Sequence, residues 1–310
     1  MKKFSALAAL SAAVLAAAAL APSSARAFFI QPSLTQLSGS HGYEGTDASV
    51  DVGGAIHLMP AFSEYHSDLS GGQTYKTYSL RAAYDTGLWG VGLTGGATPG
   101  VSGQTSSFKQ NFYGVDGTIS LGPGTGKVSR LRQYQAQGAA GLTNMSSAPE
   151  GLAGVDLGAG VMHYDETNAS VSGAGLSRIG QTNLRGSAGA AILDNILTLD
   201  ITKSVYNGTL TASAPDQAQI IQGVNAVVQG FPDTSVSLKL AMGMLPLVTP
   251  YISYTHTTFK NGVGASGAYV VGGAVNLLML NVHAFYERYT QVGGQNQNFV
   301  GIGAGLNFGL

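Results

Sequence analysis

The sequence has no cysteine, one tryptophan and few charged side chains, and these shortages remove whole classes of protein. Without cysteine there is no disulfide framework and no thiolate metal site. Asp, Glu, Lys and Arg make up 10% of the 310 residues, against roughly 25% in an ordinary soluble domain. Basic residues do not outnumber acidic ones, 15 against 16, so a nucleic-acid partner is not expected. After residue 27 no run of about 18 apolar residues occurs, which leaves no candidate for a membrane-spanning helix.

What the N-terminus does hold is the layout of an export signal. Lys2 and Lys3 precede a run of Ala, Leu and Val over 5–21, Pro22 breaks it, and Ala25-Arg26-Ala27 supplies a small-residue cleavage site. Cleavage before Phe28 is expected, dividing the chain into a signal peptide over 1–27 and a mature domain over 28–310. An uncleaved anchor is the alternative, disfavoured by the short, Ala-rich run and the good cleavage site. Cleavage removes Lys2, Lys3 and Arg26 from the 15 basic residues, leaving 12 against 16 acidic ones and a net charge of −4.

Glycine, at 45 residues, has about twice its usual share. Few charges, many small polar residues and no helical span fit a transmembrane barrel, whose strands face lipid on one side and a polar lumen on the other. Such strands alternate with period two. In 300–310, Val300, Ile302, Ala304, Leu306, Phe308 and Leu310 alternate with Gly301, Gly303, Gly305, Asn307 and Gly309. In 235–244, Val236, Leu238, Leu240, Met242 and Met244 oppose Ser237, Lys239, Ala241 and Gly243. The pattern recurs in 111–121, 152–163 and 196–206, and less cleanly in 48–59, 75–84, 88–95, 127–143, 183–193, 250–259, 268–277 and 280–289. Asp116, Asp156, Arg185, Asp200, Lys239 and Glu287 keep to the polar face, and with Arg81 they are the expected pore lining. Arg130 and Arg132 break the rule, sharing parity with Tyr134, Ala136 and Leu142; a place at the rim would make their charge cheap.

Between segments, short turns at 85–87, 123–126, 194–195, 246–250 and 278–279 alternate with longer polar links at 96–107, 144–151, 207–234, 260–267 and 290–297. An up-and-down meander produces that alternation. Tyr84 and Trp89 flank one short turn and Tyr251 and Tyr254 follow another, while Tyr75, Tyr78, Tyr206, Tyr269, Tyr286 and Tyr289 lie near long links. Amphipathic rings at strand ends suit the two headgroup girdles. The C-terminus, with apolar Leu306, Phe308 and Leu310 at the fifth-last, third-last and last positions, resembles that of the bacterial outer-membrane β-barrel superfamily, with Leu310 in place of the usual terminal Phe or Trp. The resemblance implies a place in the cell outer membrane, contact with its lipid, and recognition of these three residues by the barrel-assembly machinery. The expected fold is all-β, a transmembrane antiparallel up-and-down β-barrel of about 14 strands, within a range of 12–16, with one short helix in a long loop. Residues 28–47 are the weakest part of the pattern; Ile30 to Ser38 fits one more strand, and 48–67 fits one long strand or a hairpin broken at Pro60. Residues 164–182 fit a strand poorly.

The helix is expected within 207–234. Ser213 can cap it, Pro215 suits its first turn, and Gly230-Phe231-Pro232 suits its end. Ile220, Val224, Val227 and Phe231 follow helical spacing. Its apolar side needs a partner, either the barrel wall as loop decoration or the lumen as a plug.

No catalytic constellation stands out. His41, His57, His66, His163, His256 and His283 fall in no metal-ligand spacing, so no metal and no cofactor are expected and the chain does not read as an enzyme. A proton or metal site at His283, Glu287 and Asn281 is the residual alternative. His163 with Ser170 and His256 with Ser253 are close in sequence, as chance predicts in a Ser-rich chain. Gly124-Thr125-Gly126-Lys127 lacks the first Gly and the final Ser or Thr of a phosphate loop. Gly301, Gly303 and Gly305 read as small residues facing a crowded interior. The expected function is a porin-like channel for passive diffusion of small solutes, since a barrel of about 14 strands lies between the filled 8-strand and the open 16-strand kind. A channel for apolar molecules, or a structural surface-interaction barrel with a shut lumen, are the alternatives.

Overall fold

The computed structural model describes residues 28–309, apart from 86–87, 102–108, 122–152, 168–178, 194, 208–209, 211–220, 222–223, 229, 244, 246 and 261–263. The expected strand over 127–143, Arg130, Arg132, Ile220, Leu310 and the signal segment lie outside those residues.

Alternation becomes fourteen strands. They are β1 (Phe29–Gly39), β2 (Tyr43–Gly53), β3 (Ile56–His66), β4 (Thr74–Asp85), β5 (Trp89–Thr98), β6 (Lys109–Leu121) and β7 (Ala153–Thr167). The second half is β8 (Ile179–Ile192), β9 (Asn195–Tyr206), β10 (Pro232–Met242), β11 (Val248–Phe259), β12 (Ala265–Leu277), β13 (Leu280–Gln291) and β14 (Gln297–Leu306). Each pairs antiparallel with its neighbours in sequence, and β1 pairs with β14 from Ser33↔Gly305 to Gly39↔Phe299, closing the sheet into a barrel. A two-residue continuation of β14, Phe308–Gly309, pairs with Phe29 and Ile30. Closure leaves no exposed sheet edge, the condition for a sheet to stand in lipid.

The N-terminal region contributes three strands. The stretch 48–59 is not one strand but spans the end of β2, a turn at Gly54, and the start of β3. Gly53 has φ +154°, and a Cβ there would stand 1.9 Å from the Ile56 carbonyl oxygen, so only glycine fits. Pro60 is not the break; it sits inside β3, opposite Leu80.

The outer wall is layered. Leu93, Ile119, Leu157, Leu199, Leu238, Ile252, Val271 and Ile302 point outward and are exposed. Above them, toward the long loops, comes a tier with Tyr78, Tyr113, Tyr254, Tyr269 and Tyr286, Tyr254 and Tyr269 being direct cross-strand partners. Beyond that tier the same outward positions turn polar, with Glu64 and Lys76 paired at 3.4 Å, Lys109, Lys203 and Arg288. This is the interfacial girdle expected of a membrane barrel. Tyr75, Tyr251 and Tyr289 do not belong to it: they point inward and are buried. Each shares parity with lumenal residues of its strand, Tyr75 with Arg81 and Tyr289 with Glu287, so the pleat carries them inside.

At the opposite rim three turns hold leucine in the left-handed region, Leu193 (φ 49°), Leu247 (φ 69°) and Leu278 (φ 54°). Glycine or asparagine would adopt this conformation at little cost, whereas leucine gives up about 1–2 kcal/mol.

Candidate functional site: the lumen

The inner wall is built from large side chains laid flat over glycines. Arg81 on β4 crosses β5 to reach Asp116 on β6, donating from Nη2 to Oδ1 at 2.8 Å, from Nη1 to Oδ2, and from Nη1 to Thr94 at 3.3 Å. It passes over Gly92, where a Cβ would stand 2.2 Å from Nη2. The same device places Phe112 over Gly96, Tyr251 over Gly272, Phe285 over Gly301 and His283 over Gly303, each 2.1–2.4 Å from where a Cβ would be. Strands in a closed barrel are tilted, so an inward side chain leans over its neighbour strand; glycine there lets it lie against the wall. These five glycines thus have a lumenal task.

The seven expected lining residues all belong to the inner face. Arg81 and Asp116 form one ion pair. Arg185 on β8 and Asp200 on β9 form another, with Nε donating to Oδ1 at 2.9 Å and Nη2 closing on the same oxygen. Lys239 on β10 stands 5.8 Å from the Tyr251 ring centroid, a cation–π distance. Asp156 is buried on β7. Four of the seven therefore pair along the wall, as Arg–carboxylate geometry favours.

Glu287 on β13 has a different partner. In the link between β9 and β10, residues 224–228 fold into the barrel and lie against the inner wall. Asn225 donates its backbone N–H (3.0 Å) and its side-chain Nδ2 (2.6 Å) to the Glu287 carboxylate. Gln297 on β14 accepts from the Val227 N–H at 2.9 Å and donates to the Val227 carbonyl at 2.8 Å. These described residues are not helical. A helix would bond each N–H to the fourth carbonyl before it; here wall side chains take the Asn225 and Val227 N–H groups, and the Val224 N–H turns back to the Ile221 carbonyl at 3.1 Å. Of the expected helical stripe, Val224 and Val227 do pack inside, with Ile221, Ala226 and Val228, against Leu37, Tyr43, Tyr65, Tyr75, Phe285, Tyr289 and Phe299. Phe231 joins a separate cluster with Ile179 and Tyr206. Tyr43, Tyr65 and Tyr75 stack in series, at centroid distances of 5.9 and 5.5 Å.

The sequence reading missed this aromatic cluster and the two anchoring residues. Strand parity held the signal for the aromatics; for Asn225 and Gln297 there was none. His283 bonds Thr35 at 3.2 Å, while Glu287 is taken by Asn225, and among the described residues no group of three His, Asp or Glu is placed to hold a metal ion.

No protein-family model and no curated protein matches the chain in sequence. Solved structures similar to it include CdiB from Acinetobacter baumannii, 12% identical over 91% of this chain, with a TM-score of 0.48. The chain spans 60% of CdiB's length. Pseudomonas aeruginosa OpdK with vanillate is 10% identical, covering 92% of this chain and 98% of its own, at a TM-score of 0.40. The KdgM porin is 6% identical, covering 90% and 99%, at 0.41. The strand count and closure given above come from this chain's own register.

Proposed function

We propose that residues 1–27 export the chain and that the mature barrel, once folded by the barrel-assembly machinery, stands in the outer membrane as a porin-like channel. Small solutes would cross it by passive diffusion, through a lumen narrowed by residues 224–228. The observation that supports this reading is the inner wall, where Arg81 and Arg185 are held to wall carboxylates and Phe112, Tyr251 and Phe285 lie flat over glycines, an arrangement that keeps large side chains off the axis. A barrel meant only as a wall plug needs no such flattening, because side chains alone fill a small lumen. The lining Arg81, Asp116, Asp156, Arg185, Asp200, Lys239 and Glu287 would set a transverse field across the path.

Purified protein in a planar bilayer tests this. Steady, ohmic current is expected, and Glu287→Ala with Gln297→Ala should raise the unitary conductance by freeing the link. Aspartate at Val224 and Val228 should change it as well. A bilayer that stays silent with correctly folded protein rejects the channel. One observation favours a second reading: residues 224–228 pack on an apolar lumenal cluster around Tyr43, Tyr65 and Tyr75, which an apolar solute would meet on displacing them. Block of the current by an apolar aromatic compound, and not by sugars or salts, would select it.

A further inference from the structure

Residues 224–228 are bound to the wall as a peptide ligand is bound. Gln297 meets the backbone of one residue twice, Oε1 accepting from the Val227 N–H at 2.9 Å and Nε2 donating to the Val227 carbonyl at 2.8 Å. A paired β-strand offers the same two bonds; here one side-chain amide supplies both. Glu287 accepts from the Asn225 N–H on one carboxylate oxygen and from Asn225 Nδ2 on the other. Beside these polar groups, Val224, Val227 and Val228 share an apolar cluster with Tyr43, Tyr65, Tyr75 and Phe299. The wall holds that shape by contacts of its own. The Tyr75 hydroxyl donates to Gln73 at 2.9 Å and the Tyr289 hydroxyl to Gln291 at 2.8 Å. Tyr43, Tyr65 and Tyr75 stack on one another, and Phe299 sets its ring edge-on to Tyr43 at 4.8 Å. None of these contacts involves the infolded segment.

We infer that this arc of the lumen, from β13 through β14 and β1 to β4, is a binding site for short apolar peptides, which residues 224–228 occupy as an internal ligand. The inference rests on the channel reading above and names what that channel selects. Three features choose the ligand. Gln297 and Glu287 ask for N–H and C=O groups at peptide spacing, which sugars and hydrocarbons do not offer. The aromatic cluster asks for small branched apolar side chains at the places of Val224, Val227 and Val228. The inner face carries more carboxylates than Arg and Lys among the described residues, which disfavours an anionic ligand. A segment that merely filled space could satisfy its backbone on itself, as the Val224 N–H does at the Ile221 carbonyl, 3.1 Å away. At Asn225 and Val227 the wall does it instead. Once the segment withdraws, a ligand with the same pattern recovers both the bonds and the burial that it supplied.

The probe is the peptide acetyl-Val-Asn-Ala-Val-Val-amide, which repeats residues 224–228. It carries a fluorophore, and its binding to the folded barrel in detergent is read by anisotropy. Val224→Asp with Val228→Asp should release the internal segment and bind the peptide about tenfold more tightly than the wild-type protein, whose own segment competes at high effective concentration. Adding Gln297→Ala should weaken binding about tenfold, and so should replacing the peptide's valines by glycine. Where the double-aspartate variant does not fold, Asn225→Ala loosens the segment at Glu287 and takes its place. In a planar bilayer the peptide should block the current of the released variant over the concentrations at which it binds. Binding that is absent, or indifferent to Gln297→Ala and to the glycine peptide, overturns the site and leaves the channel reading intact. Peptide binding beside a bilayer silent for every variant overturns the channel, and peptide passage with it, while the binding site stands.

Discussion

A single methyl group added at Gly92 would meet the Arg81 guanidinium at 2.2–2.6 Å. The guanidinium is the far end of a flexible side chain, so the backbone need not move; what is lost is the reach to Asp116. Both partners are about 7% exposed, and breaking a buried pair by disabling one member costs about 3–5 kcal/mol. Gly92→Ala should therefore destabilise the barrel by about that amount, read as a lower urea midpoint for unfolding from lipid vesicles. Adding Asp116→Asn should cost little more, since the same pair is already broken; additive losses would show that Gly92 acts by another route. Gly301→Ala makes the parallel case with a ring, and should drive Phe285 off the wall and lower conductance.

Among elements, the infolded link depends on a few polar groups. Gln297→Ala would leave the Val227 N–H and carbonyl without partners, at about 1–3 kcal/mol for each buried group. Amide exchange at residues 224–228 should accelerate at least tenfold, with β12 and β13 unchanged; equal protection in the variant would show that the apolar cluster alone holds the link. How far such elements can be read in advance follows from turn geometry. Ile192 pairs with Asn195 and Leu277 with Leu280. Two intervening residues reverse which parity faces out, so apolar residues jump from even to odd numbers, or back, and the turn is visible in the sequence. Gly53 pairs with His57, three residues intervene, and parity passes through unchanged. The apolar series at Val50, Val52, Ile56 and Leu58 therefore reads as one strand where there are two. The inward tyrosines were legible by the same parity rule and obscured by their closeness to loops. The course of residues 224–228 was not legible, because spacing of Val224 and Val227 fits a helix and only the distant Glu287 and Gln297 decide against it.

For the whole molecule, the sign of the lumen has a measurable consequence. Among the described residues the inner face carries Asp47, Asp51, Asp116, Asp156, Glu166, Asp200 and Glu287 against Arg81, Arg185 and Lys239. Fixed carboxylates in excess attract cations into a narrow path. A potassium chloride gradient should give a reversal potential on the cation side, shrinking as ionic strength rises and the screening length shortens. A reversal potential of zero or opposite sign would show that other parts of the chain outweigh these groups.

The pairing of β1 with β14 joins residues far apart in sequence, with Thr35 opposite Gly303 and bonded to His283, and Ser40 bonded to Asn298. Every other hairpin in the cylinder can form from chain neighbours, whereas this one must wait for nearly the whole chain to be laid down. The staves meet at that seam last, and under denaturant it should be the first place where the cylinder parts.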